Sequence, residues 1–425
     1  MKYFYRAFTF VLYPLLILLI FLRKFSKKED NKRYKEKIFS SYFNIQRKQN
    51  FKLFWFHAAS IGELKSILPV INELSKKKSH LEFLITTVTL SSSLIAEKEL
   101  RKFSNAKHRF FPLDVNFLIN RFLNMWKPDA IFLVDSEIWP NLILSAKKKK
   151  IPLAIINARI TKKTFLRWNY FKSFAKEIFS SFDFSLSSNS ETVNFLNTFN
   201  ARNIFFEGNL KLSNQIKLEE IKDINDNLLK ESKVWVAAST HKGEEIFCIK
   251  THLLLKKDLK NVISIIAPRH INRVNQIEKL CQSFNLNYQV LEKGELIQEK
   301  KEIIIINYFG NLPAYFKLAS SVFVGKSLIK KLKEVGGQNP IEAAKLGCKI
   351  YHGPYIYNFF EIYKILNQNH VSKKVESSHE LADFLKSDFT SENNEKLSSF
   401  MDSIGKKTLD SNMKVINKFL FHENN

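Results

Sequence analysis

Short apolar runs, each long enough for a single strand, alternate with longer amphipathic stretches along most of this chain. That alternation belongs to βα units, whose strands pair in parallel and are covered by helices on both faces. The first series of runs covers 53–59, 81–88, 130–135, 152–157, 184–188 and 204–207. A polar segment rich in lysine and asparagine, 213–233, interrupts it. A second series follows at 234–238, 262–267, 288–291, 302–306, 321–324 and 349–351. Two such series predict an α/β chain of two Rossmann-like domains facing across a cleft. The expected boundaries are 31–212 for the first domain, 213–233 for the linker and 234–425 for the second. A length of 425 residues accommodates both, on a scale of about 150 residues per domain.

The N-terminus reads differently. From Ala7 to Leu22 there is no charged residue, and Arg23, Lys24, Lys27, Lys28, Lys32 and Arg33 follow. The run is somewhat shorter than the ~20 residues of a comfortable span. No small-residue cleavage site follows it, and its charges lie after the apolar part, opposite to a signal peptide. Residues 1–30 therefore read as an uncleaved anchor with a basic flank, or as a helix lying in the membrane interface. Positive charge on that flank predicts that the rest of the chain stays in the cytoplasm. The net charge of +26 suits an anionic membrane or a phosphorylated substrate. Part of it reflects a composition rich in lysine, isoleucine, asparagine and phenylalanine. No nucleic-acid motif accompanies the charge, so no nucleic-acid partner is expected. Cys248, Cys281 and Cys348 are scattered and odd in number, which implies neither a disulfide framework nor a zinc site.

Polar clusters recur just after the apolar runs, at the sheet edge where open α/β folds bind ligands. They are Ser60-Ile61-Gly62-Glu63, Asp135 to Asn141, Asn157 to Thr161, Glu207 to Lys211, Ala237 to Glu245, Ala267 to His270, and Gly336 to Ala344. Glu63 has two readings. It complements the positive end of a helix dipole, or it is a carboxylate set at a binding edge. His57 reads as a satisfied core histidine rather than a ligand or base. Gly325-Lys326-Ser327 resembles the end of a P-loop, but Ser320 stands where the motif needs glycine. Asp135 and Glu137 form an acidic pair beside the rigid Trp139-Pro140-Asn141 turn, without the further ligands a metal needs. The double glycine and Asn339-Pro340 before Ile341 and Glu342 suit an anion. Glu342 can accept from two ribose hydroxyls or complement a dipole, and Arg269 offers a fork for phosphate.

Read in order, "HAASIGE", "SEIWPNL", "INARIT", "GNLK", "STHKGEE", "APRH", "GGQNPIEAA" and "GPYIYNF" resemble the motifs of bacterial Kdo (3-deoxy-D-manno-octulosonic acid) transferases, from the N-terminal anchor to about Phe360. The resemblance implies a GT-B fold and an inner-membrane protein with its catalytic domains on the cytoplasmic face. It also implies inverting transfer of Kdo from CMP-Kdo to the lipid A precursor of lipopolysaccharide, without metal or cofactor. Matched residue by residue, Glu63 falls on the catalytic base, Glu137 on a second functional acid and Lys211 on a transition-state stabiliser. CMP contacts fall on Pro268 and Arg269, on Gly310, Asn311 and Leu312, and on Asn339, Pro340, Ile341 and Glu342. The chain departs from the pattern at Asp135, usually glutamate, at Lys326, usually glycine, at Gln338, usually histidine, and at Asn311, usually glutamate.

Overall fold

Each series of apolar runs folds into one seven-stranded sheet in which every pairing is parallel. The computed structural model describes residues 1–48, 50–77, 80–216, 229, 231–308, 310, 312–390 and 394–421. Asn311 and most of the expected linker lie outside them.

The first sheet contains β1 (Lys52–His57), β2 (Leu81–Thr87), β3 (Ala106–Phe110), β4 (Ala130–Val134), β5 (Leu153–Ala158), β6 (Phe184–Ser187) and β7 (Ile204–Phe205). Its order is β3-β2-β1-β4-β5-β6-β7. The chain winds outward from β1 in one direction and then restarts at β4 in the other, so the carboxyl ends of β1 and β4 meet at the topological switch point. Successive residues of a strand point to opposite faces. In β1, Phe54 and Phe56 enter one core with Phe83, Phe132 and Ile156, while Leu53 and Trp55 enter the other with Leu84, Ile131 and Leu133. Burial on both faces is why the strand reads as an unbroken apolar run.

The second sheet contains β8 (Lys233–Thr240), β9 (Val262–Pro268), β10 (Tyr288–Leu291), β11 (Ile303–Ile306), β12 (Ser321–Val324), β13 (Lys349–His352) and β14 (Ser372–Lys374). Its order, β10-β11-β9-β8-β12-β13-β14, puts the switch point between β8 and β12. Two strands escaped the sequence reading, β3 and β14. Their residues, Ala-Lys-His-Arg-Phe and Ser-Lys-Lys, carry charge in place of an apolar run, which an edge position tolerates because charge there blunts unwanted pairing.

Described residues fall into two compact units. The first joins Met1–Asn214 to residues 405–421, and the second lies between Gln215 and Ile404. The expected second domain, 234–425, is thereby corrected at its end. The last helix runs Asn394–Phe421, and its Met413 and Ile416 are buried in the core of the first sheet.

The N-terminal apolar run forms α1, Lys2–Phe25. It is the one helix among the described residues long and apolar enough to cross a membrane. Tyr5 and Tyr13 pack against the core of the first unit, and most of the remaining large side chains of α1 are exposed.

Candidate active site

The switch point of the first sheet brings together residues that lie far apart in sequence. β1 ends at His57, and Ser60 opens helix α2, Ile61–Lys77. The Ser60–Glu63 spacing is that of a capping box. Ser60 Oγ accepts from the Glu63 amide at 3.4 Å. The Glu63 carboxylate in turn accepts from Ser60 Oγ at 2.8 Å and from the Ala59 amide at 2.7 Å. Glu63 is therefore a helix-capping group, as the simpler reading held.

It is also more than that. Burial, followed by the charges of Asp135 and Glu137, raises the Glu63 carboxyl from 4.5 to about 7, against the lowering effect of its two hydrogen bonds. A capping acid held only by donors would move downward. A group poised near neutrality can both take and release a proton.

Asp135 follows β4 directly. Its φ is +61°, a left-handed conformation uncommon outside glycine and asparagine. Its Oδ2 accepts from Lys211 Nζ at 2.9 Å. Lys211 stands in the turn Leu210–Ser213, fixed by Asn157, whose Oδ1 accepts the Leu210 amide at 2.9 Å. Asn157 also has a positive φ, +52°, at a register shift in β5. Of the two, only Asp135 takes a conformation that its residue type seldom adopts.

Glu137 is held from two sides on one oxygen. Trp139 Nε1 donates to Oε2 at 2.9 Å, and His57 Nε2 lies 3.2 Å from the same atom. His57 is fully buried, and its Nδ1 lies 2.9 Å from Thr86 Oγ1. That hydroxyl in turn accepts from Trp55 Nε1 at 2.9 Å. Every arrangement that satisfies the carboxylate puts a proton on Nε2, since a bare ring nitrogen would set its lone pair against Oε2. His57 is thus a positioning residue, not only a core histidine. Its ring stacks on Phe111 at 4.0 Å, and Trp139 packs against both, 5.2 Å from Phe111 and 6.3 Å from His57. Sequence reasoning missed this. The available signal was that His57 is the last residue of its strand, where a side chain can reach past the sheet edge.

In the second unit, Pro268 ends β9 and Arg269 follows it, exposed. Gly310, with φ +103°, follows β11, and Leu312 opens the helix Leu312–Leu318. Asn339 and Pro340 precede the five-residue helix Ile341–Lys345, in which Glu342 lies in the first turn. Asn339 Oδ1 accepts the Ile341 amide at 3.0 Å. Strands β9 and β11 are neighbours, so the Arg269 and Gly310 turns share one stretch of the carboxyl edge.

The Gly325-Lys326-Ser327 turn has a protein carboxylate where a P-loop would hold phosphate. Glu244, buried, accepts from the amides of Lys326, Ser327 and Leu328 at 2.7–3.0 Å, and from that of His241 at 2.9 Å. Setting the P-loop reading aside is borne out. Lys326 has φ +58°, a conformation that glycine takes more readily than lysine.

Residues 32–214 match the family model described as 3-deoxy-D-manno-octulosonic-acid transferase (kdotransferase). An Arabidopsis thaliana protein named as a probable mitochondrial 3-deoxy-D-manno-octulosonic acid transferase is 32% identical over 376 residues, 86% of this chain and 82% of that protein. The 3-deoxy-D-manno-octulosonic acid transferase of Rickettsia bellii is 29% identical over 98% of this chain and 97% of its own length. Among solved structures, a UDP-GlcNAc 2-epimerase from Neisseria meningitidis bound to UDP-GlcNAc superimposes with a TM-score of 0.58. That match covers 88% of this chain and all of the other, at 15% identity. Likeness at that identity shows the fold alone, the GT-B arrangement of two parallel-sheet α/β domains.

Proposed function

The chain belongs to the family of 3-deoxy-D-manno-octulosonic acid transferases, glycosyltransferases of lipopolysaccharide biosynthesis, and from that premise we propose that it moves Kdo from CMP-Kdo to a sugar hydroxyl of the lipid A precursor, lipid IVA, with inversion. The observation that carries this reading is the Glu63 carboxyl, lifted to about 7 beside Asp135 and Glu137.

Ionised Glu63 takes the proton of the acceptor hydroxyl as that oxygen attacks the anomeric carbon of Kdo. The bond from the anomeric carbon to the phosphate oxygen breaks, and CMP departs with its electron pair. Lys211 supplies positive charge near the reacting groups, with Asp135 fixing its ammonium. Glu137, fixed by His57 and Trp139, keeps Glu63 basic through its charge. CMP falls to the second unit. Arg269 meets its phosphate and Glu342 its ribose hydroxyls, and the further contacts fall to Pro268, to Gly310, Asn311 and Leu312, and to Asn339, Pro340 and Ile341. The reaction needs no metal or cofactor, because one phosphate monoester can be stabilised by cations and backbone amides. Membrane association through α1, with both units on the cytoplasmic side, would bring the enzyme to its lipid acceptor.

The test is mass spectrometry of lipid IVA incubated with the purified protein and CMP-Kdo. One or more added Kdo masses are expected, with none from Glu63→Gln. CMP should raise the melting temperature more than UDP does, and Arg269→Ala and Glu342→Ala should each weaken that effect. A preference for UDP would point to a UDP-sugar enzyme on the same fold.

A further inference from the structure

We propose that α1 does not cross the bilayer but lies in the plane of an anionic leaflet, with both of its ends on the same side as the first unit. The inference rests on the membrane association proposed above, and the two fail differently in the test below.

One face of α1 is committed to the protein along nearly its whole length. Lys2 pairs with Glu177 at 3.6 Å, and the Tyr5 ring packs on Phe174 at 6.1 Å. Tyr5 Oη donates to the buried carboxylate of Asp114 at 3.0 Å. Thr9 Oγ1 accepts from Asn141 Nδ2 at 3.1 Å. Tyr13 Oη donates to the Ile38 carbonyl. Farther on, Ile17 and Phe21 pack against Tyr34 and Ile38, and Phe21 meets Tyr34 edge-on at 5.5 Å.

From Lys2 to Phe21 the helix rises about 29 Å, nearly the full thickness of a hydrocarbon core, ~30 Å. Both ends touch the same unit. A spanning α1 would either tear away from these partners or drag Glu177, Asp114 and Asn141 into the lipid. Burying such groups without partners costs several kcal/mol each.

The opposite face is what a membrane surface needs. Phe4, Phe8, Val11, Leu15, Leu18 and Leu22 follow one another at helical spacing, and each is at least half exposed. The strip ends at the basic flank Arg23, Lys24, Lys27 and Lys28. An apolar strip edged by cations fits the acyl–headgroup boundary of a leaflet carrying anionic phospholipids.

A further foot adjoins the first. Helices Lys162–Asn169 and Lys172–Phe179 meet at a turn where Leu166, Tyr170 and Phe171 are exposed, Tyr170 by 84%. Lys163, Arg167 and Lys172 stand among them. Phe174, on the second of these helices, is the residue against which Tyr5 packs.

The experiment uses the full chain in membranes of expressing cells. Cys248, Cys281 and Cys348 are all buried, so thiol labelling starts from a low background. Tyr3→Cys and Phe25→Cys, near the two ends of α1, are probed with a membrane-impermeant maleimide. Both should label in inside-out vesicles and neither in right-side-out vesicles. Labelling of Tyr3→Cys in right-side-out vesicles would overturn the in-plane arrangement while leaving membrane association standing. Recovery of the protein in the soluble fraction would overturn both.

A second arm tests the face. Phe8→Glu with Leu15→Glu should lower binding to phosphatidylglycerol–phosphatidylcholine vesicles by about tenfold or more, with the melting temperature retained. Unchanged vesicle binding, or an apolar strip silenced by concentration-dependent dimerisation of the native chain, would reject the leaflet as its occupant.

Discussion

The Glu63 carboxyl is both a helix cap and a group raised to about 7, and pH separates those roles. If it is the base, kcat/KM falls below about pH 7 as Glu63 is protonated. Asp135→Asn removes a negative neighbour and loosens Lys211, so this acid limb should move to lower pH. An unmoved limb would assign it to another group. Stability gives an independent reading. A carboxyl held above its unfolded value favours the fold fully below about pH 4.5 and loses that contribution as pH rises through 7. Glu63→Gln lacks this dependence. Its stability relative to wild type should therefore increase between pH 4.5 and 7, by about 1–3 kcal/mol. A constant difference in melting temperature across that window would contradict the burial argument. His57 adds a test of positioning. His57→Gln keeps an N–H directed at Glu137, whereas His57→Leu does not. Turnover should fall by about 10- to 100-fold in the leucine variant and less in the glutamine variant, with CMP binding unchanged in both. Equal loss in the two would mean that packing on Phe111, not the hydrogen bond, is what His57 provides.

Elements supply the geometry that residue patterns do not display. Both switch points bear positive φ at residues other than glycine, Asp135 after β4 and Lys326 after β12. Lys326→Gly should stabilise the protein by up to about 1 kcal/mol, because glycine takes that conformation without strain. Gly325→Ala should destabilise it, by about 1–3 kcal/mol or more. Its Cβ would come within 2.6 Å of the Ser239 carbonyl oxygen and 2.8 Å of Glu244 Oε2. Thermal denaturation of the two variants checks both signs, and a stable Gly325→Ala would mean the turn is freer than its contacts indicate. Strands were legible wherever helices cover both faces, since such strands must be continuously apolar. Strands β3 and β14 were not, because charged residues take the place of an apolar run in both. The acid cluster was half legible. Glu63, Asp135, Glu137 and Lys211 each announced themselves by following a strand, but only the strand order shows that β1 and β4 are neighbours. The hold of His57 and Trp139 on Glu137 depends on side-chain direction, which one sequence does not encode in any local pattern. Glu244 was hidden for the same reason, since three of its four amide partners lie more than 80 residues away.

Two sheets, one per series of runs, suggest a chain that divides once, yet the polypeptide returns to its first unit after leaving the second. The periodicity of residues 394–421 reveals an apolar helix face but not which sheet that face covers. In the structure Met413 and Ile416 are buried in the first unit, together with Leu210 of the Lys211 turn. Asn412 Nδ2 donates to the Glu207 carbonyl at 3.0 Å. Thr408 lies so close to Gly208 that a Cβ there would approach it to 3.2 Å, and Gly208 itself has φ +85°. The C-terminal helix thus braces the segment Glu207 to Lys211, the segment that delivers a lysine to Asp135. Two substitutions separate its structural contribution from this bracing. Ile416→Ala removes buried carbon from the core and should cost about 2–4 kcal/mol, read as a lower melting temperature. Asn412→Ala removes one hydrogen bond to a backbone carbonyl, which should cost only about 1 kcal/mol. Because the Glu207 carbonyl is three residues from Leu210 and four from Lys211, the transfer rate should fall further in Asn412→Ala than this stability loss alone explains. CMP binding should stay unchanged, since its proposed contacts all belong to the other unit. A transfer rate that tracks stability alone across both variants would make the helix a core element only, with no hold on the lysine.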